Sequence, residues 1–193
     1  MQIAPVTLSG RHVRLEPLAL AHADGLSRVG LEPGLWTWVP AAVTTPAEME
    51  AYVRSALLDQ ARGVALPFAL LEQEGGRVIG STRYGNIEPA HRRLEIGWTW
   101  VATAFQRTAA NTEAKLLLLT HAFETLGAHR VELKTDALNQ QSRAAILRIG
   151  AVEEGTLRRH VVCASGRVRD TVYFSIIDSE GPAVKARLTA RLR

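Results

Sequence analysis

With 193 residues, 47% of them hydrophobic, the chain can fill a sizeable core, which excludes a disordered or fibrous protein. A single cysteine, Cys163, excludes an internal disulfide framework and suits a reducing compartment such as the cytoplasm. The formal net charge of +4 is concentrated in residues 156–193, where eight Arg or Lys stand against three acids; without an interleaved aromatic pattern this reads as a solvated face more than a nucleic-acid surface.

In chain order, residues 12–18 alternate apolar and polar side chains and reach Pro17, as a first strand does. Residues 19–29 carry a helical phase and are broken by Gly30, Pro33 and Gly34. An apolar loop follows, with Trp36 and Trp38; the two indoles pack on the core or wall a substrate pocket. Thr45-Pro46-Ala47-Glu48 is a helix start with a cap, a proline at the first position and a reciprocating glutamate, and the helix should end near Gly63. Residues 65–73, 77–87 and about 93–101 then read as a three-strand meander, with Glu88 in the last link. Residues 130–136 form a strand parallel to 94–101, because a helix crosses between them. Asn139 caps a helix over 140–149 that Gly150 ends. A hairpin of residues 152–162 and 167–177 turns at Ala164-Ser165-Gly166, and a short basic helix occupies 183–192.

The order is β-α-α-β-β-β-α-β-α-β-β, and it is organised around residues 94–127. There a strand passes through Gln106-Arg107-Thr108-Ala109-Ala110-Asn111 into a helix expected from Thr112 to Gly127, with Asn111 as its cap. Such a helix start presents unpaired N–H groups and partial positive charge, a seat for phosphate. The crevice at the carboxyl ends of two splayed parallel strands is a natural ligand site. No cysteine and histidine cluster has zinc spacing, so no metal is expected. The longest apolar run, residues 116–119, cannot span a bilayer, and no signal peptide or membrane association is expected.

These elements and two motifs resemble the GCN5-related N-acetyltransferase (GNAT) superfamily, and within it the ribosomal-protein N-terminal acetyltransferase branch. The motifs are Gln106-Arg107-Thr108-Ala109-Ala110-Asn111 between strand and helix, and Asn139-Gln140-Gln141-Ser142 with Gly150-Ala151 at the next helix end. The resemblance covers residues 13–177. It implies one acyl-CoA N-acyltransferase domain over residues 1–193, with a single α/β mixed sheet of about seven mostly antiparallel strands. One parallel pair would splay at the cofactor site, with helices on both faces. It implies transfer of acetyl from acetyl-CoA to the amine of a small molecule or peptide, and it allows a homodimer. Backbone from Phe105 to Thr112 would hold the pyrophosphate, Trp100 and Val101 the pantetheine arm, and Asn139 and Ser142 its far end.

Two departures stand out. The family often has glycine where this chain has Ala109 and Asn111. Many relatives also carry a tyrosine where Ile146 stands, so the departing thiolate lacks its usual proton donor and Ser142 is the nearest alternative. As base for the amine, Glu95 is the first candidate, two residues before Gly97 and expected on the same face as Gly97 and Thr99. Its competing role is an ion pair with Arg92, Arg93 or Arg83. Trp36, Trp38 and Glu88 are the substrate-pocket candidates. The alternatives are a non-catalytic acyl-CoA-binding module and a nucleic-acid-associated protein using the basic C-terminal segment.

Overall fold

The computed structural model describes residues 1–163 and 165–192. One eight-stranded sheet has the order β1-β2-β3-β4-β5-β6-β8-β7. Its strands are β1 (Leu8–Ser9), β2 (Val13–Pro17), β3 (Leu66–Glu72), β4 (Val78–Glu88), β5 (Arg93–Val101), β6 (Arg130–Asp136), β7 (Val152–Val162) and β8 (Val168–Ile177). Every neighbouring pair is antiparallel except β5 with β6. The strand beyond the expected seven is β1, two residues pairing Leu8 with Leu15, too short to leave a periodic signal. Of the expected hairpin turn, Ala164 lies outside the described residues.

Helices cover both faces. α1 (Ala23–Gly30) and α2 (Pro46–Ala61) pack Leu26, Met49 and Val53 with Trp36, Ala69, Leu71 and Trp100. On the other face α3 (Ala109–Thr120), α4 (Gln140–Ile149) and α5 (Gly181–Ala190) cover Phe68, Tyr84, Leu94, Ile96, Val131 and Phe174. Each fully buried Leu or Phe contributes roughly 2 kcal/mol by removing apolar area from water. Thr45 and Glu48 form the expected reciprocal cap: Glu48 N–H donates to Thr45 Oγ1 (3.2 Å) and Thr45 N–H to Glu48 Oε2 (3.0 Å). Gly150 ends α4 at φ 107°, a conformation other residues resist. The basic C-terminal helix buries Val184 and Leu188 in the main core.

The central helix starts earlier than Asn111 suggests. Arg107 takes a left-handed turn (φ 60°), Thr108 is extended, and its Oγ1 accepts the Ala110 N–H at 3.2 Å. Thr108 is therefore the cap, and Asn111 lies inside the first turn. The helix is regular only to Thr120, then widens over His121–Thr125. Just before that widening the Tyr84 hydroxyl donates to the Leu118 carbonyl at 2.6 Å, a carbonyl that also accepts the His121 N–H. Glu113 is buried, and its carboxylate accepts the N–H groups of Arg11, His12 and Val13 at 2.6–2.8 Å, which fastens the start of β2 to α3.

Candidate active site

β5 and β6 pair only at Arg93–Arg130, Leu94–Val131 and Glu95–Glu132. Past that point the strands part, and their facing backbone edges are open to a ligand. β5 continues into α3 and β6 into α4, so two helix N-termini stand at the carboxyl end of the gap. Each N-terminus offers unpaired N–H groups and partial positive charge. This converges on an elongated anionic ligand whose charged end meets α3.

The residues expected to hold a cofactor are brought to this end. Trp100 and Val101 close β5 against Ser81 and Gly80 of β4, leaving their other edge toward the gap. A short turn ends at Phe105, and Gln106 Nε2 anchors the following loop by donating to the Val101 carbonyl at 3.1 Å. Arg107 and Thr108 are exposed, and Ala109, Ala110, Asn111 and Thr112 form the first turn of α3. Alanine at 109 causes no strain, because the left-handed residue is Arg107. The Asn111 Oδ1 is buried without a hydrogen-bond partner among the described residues. Across the gap, Asn139 Oδ1 caps α4 by accepting the Ser142 N–H at 2.9 Å.

Glu95 shares a face with Gly97, but Thr99 does not, which corrects the strict alternation expected from sequence. Trp98 and Thr99 together oppose Thr82 of β4, a bulge with Trp98 at φ 49°. The bulge turns Thr99 to the α3 face, where its Oγ1 accepts a hydrogen bond from Lys115 Nζ at 2.9 Å. Glu95 faces the α1–α2 side at 2% exposure. Its Oε2 accepts from Asn86 Nδ2 (2.6 Å) and meets Lys134 Nζ (2.9 Å). None of the three expected arginines is its partner: Arg83 pairs with Asp59 at 3.5 Å, and Arg93 with Glu88 and Glu132. Oε1 lies over Gly97, where an added Cβ would come within 2.6 Å of it. That oxygen has no hydrogen-bond donor among the described residues.

Sequence reasoning missed two features around Glu95. The first is a row of alternating rings and cations on the α1–α2 face. Arg83 stacks on Tyr52 (5.2 Å) and Trp98 (4.9 Å), and Lys134 on Trp98 and Tyr173 (both 5.7 Å). Trp98 is 41% exposed at the centre of this row, a wide aromatic surface beside Glu95. Its position depends on the bulge, and no periodicity reveals that. The second is Lys115, a buried amine on α3. Its pKa is lowered by burial to about 8, against a weaker opposing pull from Glu95. Thr82 Oγ1 lies 2.7 Å from Thr99 Oγ1 and extends the chain of hydroxyls. The signal for Lys115 was present: a lysine between Ala114 and Leu118 interrupts the helix's apolar stripe.

The pocket candidates divide. Trp36 is a core residue, 6% exposed, with its indole N–H donating to the Gly30 carbonyl at 2.7 Å and its ring 5.6 Å from Trp100. Trp38 is half-buried, and Arg167, just before β8, lies over its ring at 5.8 Å. Glu88 is exposed and paired with Arg93, at the closed end of the β5–β6 pair. Ile146 is buried in the main core and has no proton to give. Among the described residues no cluster of His, Cys, Asp or Glu could hold a metal, and no helix is long and apolar enough to cross a membrane.

Residues 12–152 match the family described as "Acetyltransferase (GNAT) domain". A Bacillus subtilis (strain 168) relative, YdaF, named as a candidate ribosomal N-acetyltransferase, is 35% identical over 105 residues, which span 54% of this chain and 56% of that protein. Among solved structures, a GCN5-related N-acetyltransferase from Brucella melitensis is similar at 35% identity and TM-score 0.91, covering 99% of this chain and 87% of that one. Mycobacterium smegmatis RimJ, solved in complex with CoA-disulfide, is similar at 27% identity and TM-score 0.85, covering 98% and 96%. The open parallel pair, the two helix starts that flank it and a family match over residues 12–152 lead to one conclusion: this chain belongs to the GNAT acetyltransferase family.

Proposed function

We propose that this protein is a cytoplasmic N-acetyltransferase that moves acetyl from acetyl-CoA to the amine of a peptide N-terminus or a small molecule. The observation that carries the reading is the gap between β5 and β6, with the first turn of α3 at its mouth. In this reading the backbone N–H groups between Phe105 and Thr112 hold the pyrophosphate. The open edge of Trp100 and Val101 takes the pantetheine arm, and Asn139 and Ser142 steady it from the other wall. The acceptor enters on the α1–α2 face, over Trp98.

The chemistry is direct attack. The amine nitrogen bonds to the thioester carbonyl carbon, the C–S bond breaks, and the sulfur leaves as thiolate. The nitrogen gives up its proton to Glu95 Oε1, the carboxylate oxygen that Asn86 and Lys134 leave unengaged, directly or through one water. A thioester is already activated, so holding the two reactants in line supplies much of the rate. For the thiolate, Lys115 has an acidity close to a thiol's and reaches the splayed part of β5 through Thr99. Ser142, a weaker acid, serves as a relay.

The test is thiol release from acetyl-CoA against a panel of amines and N-terminal peptides. Turnover in the wild type, falling steeply in Glu95→Gln with acetyl-CoA binding intact, supports the reading. Acetyl-CoA binding with no turnover across the panel would favour a non-catalytic acyl-CoA-binding module.

A further inference from the structure

Beside the acceptor face stands a guanidinium that the proposed chemistry does not use. Arg169 is on β8 and is 7% exposed. Its Nε donates to Thr171 Oγ1 at 3.1 Å and its Nη1 to the Trp38 carbonyl at 3.2 Å. These two acceptors are neutral. Among the described residues no carboxylate lies within ion-pair distance of it. Asp136 exerts the strongest opposing pull on this charge, but it lies beyond ion-pair distance and is engaged by Arg167 and by the Leu138 N–H (2.9 Å). Glu95 acts on Arg169 only at longer range, and its Oε2 is taken by Lys134 and Asn86.

A buried cation with no carboxylate in direct contact is costly, and a bound anion would offset that cost. Desolvation already works against this charge, drawing its pKa down from the usual arginine range. The fixed fork of a guanidinium matches a carboxylate with two parallel hydrogen bonds. Nε and Nη1 are held by Thr171 and Trp38, so the fork is oriented before any ligand arrives. Trp38 crosses from the loop before α2 to do this, and its ring is stacked by Arg167. The corner is therefore built from two distant parts of the chain, residues 37–40 and β8. Along β8, Arg169 shares its face with Thr171 and Tyr173, and Tyr173 ends the row formed with Lys134 and Trp98.

Resting on the acetyltransferase reading, we infer that Arg169 is the anion-binding corner of the acceptor site and selects amines that carry a carboxylate close to the nitrogen. Two acceptors have this chemistry: a free amino acid, through its α-carboxylate, and a peptide N-terminus followed by an acidic side chain. Lys134 and Arg83 on the same face are already paired with Glu95 and Asp59, which leaves Arg169 as the cation open to a ligand's carboxylate. Arg169 is a specificity-determining residue in this scheme, not a proton carrier.

The experiment pairs isosteric acceptors. Alanine is compared with alaninamide, and a tripeptide with aspartate at its second position with its asparagine counterpart. Thiol release from acetyl-CoA gives kcat/KM for each. In parallel, equilibrium binding of the four N-acetylated products is measured by calorimetry, which requires no turnover. The wild type should favour the carboxylate member of one pair at least 10-fold in both readouts; the favoured pair identifies the source of the carboxylate. In Arg169→Gln that ratio should fall to near one through KM, with acetyl-CoA binding retained, and Arg169→Lys should restore part of it. Equal affinity for acid and amide in the wild type overturns the inference, whether or not the variants fold. A carboxylate preference that survives in Arg169→Gln overturns it as well. Product discrimination without any turnover would keep the anion corner and sink the transferase reading instead.

Discussion

Lys134 holds its Nζ 2.9 Å from Glu95 Oε2, tying β6 to β5 just where the two strands part. The bond fixes the Glu95 carboxylate in one orientation, with Oε1 over Gly97. Glu95→Gln should therefore lower kcat by roughly 100-fold or more, the usual contribution of a positioned base. Lys134→Met leaves a buried carboxylate without its cation and should lower stability as well as activity, by about 3 kcal/mol. Urea unfolding and steady-state kinetics on the two variants separate the roles: loss of rate alone in the first, loss of both in the second.

Lys115→Met tests the proposed acid. Burial holds the Lys115 pKa at about 8, below the 10.5 of an exposed lysine. Between those values the unfolded chain keeps a proton that the folded one releases, so this group makes stability rise with pH across that window. Methionine removes the slope and the cost of a buried ammonium. The expected result is a melting temperature unchanged or higher at pH 7, with kcat lowered and its dependence on pH near 8 flattened. A pH–rate profile of wild type and variant checks it.

Glu113→Ala should be a stability variant without a direct effect on chemistry. It strips the acceptor from the N–H groups of Arg11, His12 and Val13, the last of them fully buried. Leaving buried donors unpaired costs about 3 kcal/mol. Chemical denaturation should show that loss, and hydrogen exchange should show β1 and β2 opening first.

Gly85→Ala probes the exposed indole. An added Cβ at Gly85 collides with the Trp98 ring. Trp98 must then tilt, losing its stacking with Arg83 and Lys134. KM for the acceptor should rise several-fold while the affinity for acetyl-CoA stays within a factor of two. Acceptor saturation kinetics and titration with acetyl-CoA report on the two halves.

Acid stability should depend on Glu154. The hydrogen bonds from Arg130 and then Ser175 lower its pKa from 4.5 to about 2. A group with a depressed folded pKa stabilises above its unfolded value and loses that contribution as pH falls, here between 4.5 and about 2. Glu154→Gln should flatten the stability curve across that range, read by urea midpoints at several pH values.

Much of the architecture was legible because it is written in local periodicity. Alternation marked β2 and β6, a turn sequence between two short runs marked the β7–β8 hairpin, and Thr45, Asn139 and Gly150 marked helix ends through hydrogen bonds within a few residues. A crossing helix between 94–101 and 130–136 pointed to a parallel pair with a helix start after it; that the pair splays came from the family resemblance. The shared face of Glu95 and Gly97, two residues apart, was also readable from alternation. What sequence did not decide was anything that depends on partners distant in the chain. The cap moved from Asn111 to Thr108 because Arg107 takes a left-handed turn. Thr99 left the face of Glu95 because a bulge at Trp98 inserts one residue, and a single insertion reverses every later side chain. Glu95 found Lys134 across the gap, not a neighbouring arginine. Trp38 and Arg169, 131 positions apart, meet only because the loop before α2 crosses to β8, the strand next to the sheet's edge. Spacing along the chain encodes contacts one turn or one hairpin away; which charges meet in a cleft is fixed by packing of the whole sheet against its two layers of helices.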